Sequence, residues 1–409
     1  MTERKTTHLL TSGLYWMPLL MAFWLLLPRP ALACKNSLPK GLDMAEKMAR
    51  SEIRHFPDIL GVDYNNRPVW NYTQGLIAQS MLGVYEFSRD KAFYDYARSY
   101  ADKMIDDQGT IMGYRPEEYN IDRINSGKFL FDLYRETHDE RYKSAIFHLR
   151  EQLKTHPRTS EGGFWHKKIY THQMWLDGLY MGAPFYARYA RDFGEPEAFN
   201  DVIDQFAIVH RHTFDPESGL NYHGWDERRE QKWAHPEKGT SPHFWGRAMG
   251  WYAMALVDVL DFIPSDHPRR GELLIILRQV AAGVARHQDK ESGLWYQVMD
   301  LGTREGNYLE ATASSMFTYA LLKGVRKGYL PKKYQKTAFK GYKGIVSRLI
   351  RDNGDGTISL TQCCSVAGLG GNPYRDGSYA YYVGEPVRDN DPKGVGPFIL
   401  ASLEIHLTQ

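Results

Sequence analysis

A unit of two helices and a glycine-bearing turn recurs along this chain. Residues 41–54 carry Leu42, Ala45, Met48 and Ala49 on one face, the spacing of an amphipathic helix, and residues 72–88 predict a second helix. The polar turn Arg89-Asp90-Lys91 leads into a predicted helix at 93–105. The same form returns as 131–136 with 142–153, 185–191 with 199–210, 252–263 with 271–287, and 315–323 with 334–350. Behind each second helix comes a short apolar or aromatic piece containing Gly109, Gly162, Gly219, Gly293 or Gly354, at a spacing of roughly 55 to 75 residues. Helix pairs repeating at this period form an array. No polar capping repeat marks either end, so a closed toroid fits better than an open solenoid. Residues 34–409 therefore read as a single all-α domain, although 409 residues would ordinarily suggest two or three.

The first 33 residues read separately. Arg4 and Lys5 precede an almost unbroken apolar run at 14–27, and Ala31-Leu32-Ala33 supplies small residues for cleavage. This is the pattern of a secretory signal peptide. Cys34 follows directly, so a lipoprotein signal is the alternative, although Ala31 stands where such signals usually carry Leu. The expected location is outside the cytoplasm, periplasmic or at the cell surface. Cleavage would remove Arg4, Lys5, Arg29 and Glu3, leaving 48 basic (51 − 3) and 48 acidic (49 − 1) residues. A net charge of zero gives no field for gathering nucleic acid, and membrane attachment is expected only through a lipid on Cys34. Cys363 and Cys364 are adjacent, which gives neither a disulfide framework nor zinc spacing, and they read as small buried side chains.

The densest chemistry lies in residues 163–184. Asp177 stands there inside an otherwise apolar run at 174–183, a setting that raises a carboxyl pKa and suits an acid or base. Asp122 precedes a predicted helix and is either a helix cap or a second carboxylate. His166, His223, Trp245, Arg247 and Trp251 occupy the other aromatic loops. Arg247 and Trp251 share a helix face, and an Arg between two Trp suits an anionic sugar, though Arg packed on Trp is equally common. His166 and His172 are six apart and no His-Glu-x-x-His occurs, so no metal is expected. Neither a Gly-x-Ser-x-Gly elbow nor a phosphate loop is present. Asp122 and Asp177 could serve as the two carboxylates of a glycosidase.

Five stretches then carry a family resemblance. They are Phe164-Trp-His-Lys-Lys-Ile-Tyr, Met174-Trp-Leu-Asp-Gly-Leu-Tyr-Met, Trp245-Gly-Arg-Ala-Met-Gly-Trp-Tyr, Gly368-Leu-Gly-Gly-Asn-Pro-Tyr-Arg-Asp-Gly-Ser-Tyr and the run from Tyr382 to Phe398. Across the whole mature chain the sequence resembles the unsaturated rhamnogalacturonyl hydrolases of glycoside hydrolase family 105, related to the family 88 unsaturated glucuronyl hydrolases. The resemblance implies an (α/α)6 barrel, Asp177 as general acid/base, Asp122 as the assisting carboxylate, and His166, His223, Trp245, Arg247 and Trp251 as pocket residues. It implies no cofactor. The implied substrate is a lyase-generated oligosaccharide, as in pectin degradation, whose non-reducing uronic acid has a C4=C5 double bond. In finer detail we expect Asp122 to raise the Asp177 pKa and hold ring hydroxyls. His223 is expected near the water, and Arg247 or His166 near the uronate. An ulvan-type substrate, a conventional inverting glycosidase and a non-catalytic sugar-binding protein are the alternatives.

Overall fold

The apolar stripes of the helix pairs are buried between two concentric layers. The computed structural model describes residues 39–65 and 67–409, so the expected signal at 1–33 and Cys34 lie outside the described residues. The first half comprises α1 (Gly41–His55), α2 (Tyr72–Ser88), α3 (Lys91–Met104), α4 (Asp122–Asn125), α5 (Leu130–Thr137), α6 (Glu140–Thr155) and α7 (Leu176–Phe193). The second comprises α8 (Ala198–Thr213), α9 (Gly246–Val259), α10 (Arg270–Arg286), α11 (Ala311–Arg326), α12 (Tyr334–Arg348), α13 (Tyr379–Gly384) and α14 (Pro392–His406). Helices α2, α4 with α5, α7, α9, α11 and α14 pack in sequence as an inner ring, and α14 returns to α2. The outer helices α1, α3, α6, α8, α10 and α12 each pack on this ring. The architecture is an (α/α)6 barrel.

The layers explain the periodicity. Outer helix α3 buries Phe93, Tyr96, Ala97, Tyr100, Ala101 and Met104, a stripe at 3–4 residue spacing. Inner helix α9 meets protein all round and buries every residue from Gly246 to Val259. An amphipathic pattern therefore marks the outer helices, and a continuous apolar one the inner.

The glycine turns also have a common structure. Past α3, Ile105 bridges Ile111; past α6, Arg158 bridges Phe164; past α8, β2 (Phe214–Asp215) pairs with β3 (Leu220–Asn221). Each of these hairpins turns on a left-handed glycine, with φ of 80° at Gly109, 96° at Gly162 and 75° at Gly219. Beyond its hairpin the chain returns to start the next inner helix, so the inner helices begin at the same end of the barrel. The seating of outer helix α1 on α14 requires Gly41, because a Cβ there would sit 2.3 Å from the Ser402 carbonyl oxygen of α14.

Candidate active site

The N-termini of the inner helices form this end of the barrel, and candidate residues occupy several of them. Tyr72 opens α2, Asp122 opens α4, Asp177 is second in α7, and Arg247 is second in α9. Helix N-termini carry partial positive charge from unpaired N–H groups, which favours carboxylates and anionic ligands. Two further strands shape the rim: β1 (Gln173–Trp175), ahead of α7, pairs with β4 (Gly224–Asp226).

Each acidic candidate faces an imidazole. His223 Nε2 lies 3.2 Å from Asp177 Oδ2, without the alignment of a hydrogen bond, and the Asp177 side chain is 13% exposed. The other face of His223 is fixed by the Tyr382 hydroxyl, 2.8 Å from Nδ1. His166 Nε2 lies 3.4 Å from Asp122 Oδ1, and Lys167 Nζ lies 2.6 Å from Asp122 Oδ2. Burial pushes the Asp122 carboxyl up, but the Lys167 cation, with help from His166, outweighs it and holds Asp122 below the usual carboxylate range. Burial depresses His166 to about 4, so this imidazole is neutral.

Arg247 lies at the centre. Its Nη1 donates to the Cys364 carbonyl at 2.5 Å, and its guanidinium carbon lies 4.6 Å from the Trp245 ring centre. Burial disfavours its charge, but the surroundings, including Cys364, Asp391, Tyr72 and Glu310, hold its pKa above the ordinary value. Among the described residues no carboxylate lies within ion-pair distance of it. Trp245 packs against His223 at 4.8 Å and anchors its own Nε1 on Gln297 Oε1 at 3.1 Å. The strand β7 (Cys363–Cys364), paired with β8 (Val387–Arg388), supplies the Arg247 acceptor, and both cysteines are buried free thiols. A cavity of about 20 Å³ behind His166, lined by Ile121, Phe164, Met174 and Leu179, is too small for a sugar, and neither Asp122 nor Asp177 lines it.

The Glycosyl Hydrolase Family 88 profile matches residues 44–409. The chain belongs to that family. It is a glycoside hydrolase, and its barrel is similar to a family 105 glycoside hydrolase of C. acetobutylicum ATCC 824. The two are 48% identical with a TM-score of 0.85, over 89% of this chain and 99% of that one. It is 42% identical over 230 residues to Protein Atu3128 of Agrobacterium fabrum, covering 55% of this chain and 97% of that protein. It is 28% identical over 262 residues to the unsaturated rhamnogalacturonyl hydrolase YesR of Bacillus subtilis, covering 62% of this chain and 70% of that protein.

The structure gathers the seven candidates at one end of the family 88 barrel, with two differences from the sequence reading. Trp245 and Trp251 are each only 1% exposed, Trp245 packed against Arg247 and His223 and Trp251 stacked on Tyr180 at 4.6 Å, so neither indole has an open ring face. His166, being neutral, can donate or accept a hydrogen bond but cannot meet a uronate as a cation. The sequence reading missed Lys167, Tyr72 and Tyr382. Lys167 is one of two adjacent lysines in a polar turn, and no spacing distinguishes the one that turns inward.

Lys167 sets the charge of Asp122, which gives a prediction. In Lys167→Met, Asp122 loses its main counter-charge while remaining buried, so its pKa rises. Activity that requires ionised Asp122 is present above that pKa and lost as pH falls through it. The acidic limb of the kcat/KM profile should therefore move to higher pH in the variant. An unmoved limb would show that Asp122 ionisation does not govern it.

Proposed function

We propose that the chain removes the C4=C5 unsaturated uronic acid from the non-reducing end of lyase-generated oligosaccharides by hydrating the double bond. Unsaturated galacturonyl-rhamnose from rhamnogalacturonan is the proposed substrate. The observation carrying this reading is the pair of carboxylates at the helix N-termini. Among the described residues no lysine or arginine lies at ion-pair distance from Asp177, whose neighbour is His223, whereas Asp122 is held ionised by Lys167. One group is placed to exchange a proton and the other to remain charged.

In this reading Asp177 delivers a proton to C4 of the vinyl ether, leaving positive charge shared by C5 and the ring oxygen. Asp122, ionised at the start of α4, hydrogen-bonds ring hydroxyls. Water adds to C5 and gives a proton back to the Asp177 carboxylate, so the acid is regenerated. The C5 hemiketal then opens the ring, which releases the leaving sugar and an open-chain keto product. If Tyr382 donates to His223 Nδ1, the neutral ring carries its proton on Nε2, beside Asp177, where it orients the carboxylate or the water. Arg247 supplies the cation for the uronate, and Lys167 stays with Asp122. We further propose that the chain acts after export, in line with the leader read at 1–33.

The test is the ultraviolet absorbance of the unsaturated uronate, with purified protein and lyase-generated rhamnogalacturonan disaccharide. A fall in absorbance with release of rhamnose is expected. A fall only with ulvan or glycosaminoglycan fragments would keep the chemistry and change the leaving sugar. Cleavage of saturated glycosides alone would replace the reading with a conventional inverting glycosidase.

A further inference from the structure

Trp175 ends β1, two residues before Asp177, and its indole touches both imidazoles that face the carboxylates. His166 stacks on it at 4.4 Å and 14°, and His223 meets it edge-on at 5.5 Å and 65°. Tyr170 also stacks on it, at 4.6 Å and 23°. The His166 and Tyr170 rings are 6.2 Å apart and 22° from parallel. That is less than two van der Waals spacings of ~3.5 Å, so both lie on the same face of the indole.

The indole is held from every other side. Its Nε1 donates to Gln173 Oε1 at 3.2 Å, Trp233 and Leu369 pack against it, and its backbone pairs with Gly224. Tyr170 is pinned in turn. Arg375 Nη2 donates to its hydroxyl at 2.7 Å, and the same guanidinium donates to the Gly370 and Leu369 carbonyls at 2.8 and 3.1 Å. Three separate loops thus converge on one buried ring. By contrast, the His166 ring has few polar anchors. Its Nδ1 has no partner, and Nε2 has only the 3.4 Å contact with Asp122. A neutral imidazole so placed takes its orientation from the surface it stacks on.

We infer that Trp175 is a positioning residue, which with Tyr170 and Arg375 behind it holds His166 toward Asp122 and His223 toward Asp177 as one rigid unit. It explains why an indole, and not a smaller ring, stands next to Leu176 and Asp177: one plane must cover His166 and Tyr170 while its edge meets His223. The effect on turnover rests on the acid/base reading above; the effect on the imidazoles does not.

The test uses the protein with 13C-labelled histidine, comparing the parent with Trp175→Phe, Trp175→Leu and Arg375→Gln. The His166 signal, identified by its loss in His166→Gln, is expected upfield in the parent because its ring lies over the indole face. In Trp175→Leu it should return to the ordinary range and the His223 signal should move with it. In the same variant kcat should fall ~10²-fold with KM changed less than ~3-fold, the signature of misplaced groups and intact binding. Trp175→Phe should recover part of both effects. Arg375→Gln, which leaves the barrel core untouched, should move the same two signals less and lower kcat less; it carries the test if Trp175→Leu does not fold. Unmoved imidazole signals, or a kcat within ~2-fold of the parent in folded Trp175→Leu, would overturn the inference. A lowered melting temperature alone would do the same by assigning Trp175 a purely structural role. If the parent proves inactive on every unsaturated uronide, the functional reading falls while the imidazole signals still decide the positioning.

Discussion

Asp177→Asn should lower kcat by ~10²–10⁴-fold with little change in KM, the range that a positioned acid/base contributes. The amide has the carboxylate's shape and can keep its place beside His223, but it has no proton to deliver to C4 and cannot accept one from the attacking water. Folding should survive. The side chain is partly accessible, and removing a carboxylate from the first turn of α7 forfeits about 0.3–1 kcal/mol of helix-dipole interaction. The measurement is the rate of ultraviolet absorbance loss at saturating substrate, with circular dichroism to confirm the fold. Asp122→Asn serves as the comparison. If Asp122 only holds hydroxyls and stabilises charge, its loss should appear in KM as well as kcat. An Asp177→Asn variant that stayed folded and kept most of its activity would remove the central assignment.

The helical repeat was legible because outer helices carry one-sided apolar stripes, and α2 was predicted at the residues it occupies. Inner helices were harder. The stretch 185–191 marks only the end of α7, whose start at Leu176 is blurred in sequence by Asp177 and Gly178 within the apolar run at 174–183. The stretch 252–263 covers the body of α9, and the helix face shared by Arg247 and Trp251 marks its start, although Gly246 and Gly250 weaken the pattern there. The whole of α14 was missed. Pro392, Gly394, Gly396 and Pro397 argue against a helix in sequence. In the fold, Pro392 sits in the first turn, where its missing N–H matters little, and Asp391 caps the Lys393 N–H at 2.9 Å. Burial against α2 and α11 then outweighs weak propensity. The site followed the same rule. Asp122 and Asp177 stood out as carboxylates in unusual settings, whereas Lys167 and Tyr382 looked ordinary until folding brought them to Asp122 and His223.

Arg247→Met should lower kcat/KM by about 30- to 4,000-fold, with most of the change in KM. The range corresponds to the 2–5 kcal/mol lost when one partner of a buried charge pair is removed, at 1.4 kcal/mol per tenfold. The physical basis is the isolation of the guanidinium. Arg247 is buried, is kept charged by Asp391 and Glu310 at a distance, and has no ion-paired carboxylate of its own among the described residues. Among the described residues its side chain donates to the Cys364 carbonyl alone, which leaves donors for a substrate carboxylate. Methionine fills similar space, and replacing a buried charge with an apolar side chain of like volume is often close to neutral for stability. Arg247→Lys separates charge from geometry: a lysine preserves the positive charge but cannot form the paired hydrogen bonds of a guanidinium, so it should recover only part of the loss. Lys167→Met provides the contrast, since its principal effect is expected in the pH profile. If Arg247→Met bound the unsaturated disaccharide as well as the parent and Lys167→Met did not, the uronate would sit against Lys167. The substrate would then lie in the reverse orientation, with its leaving sugar over α9.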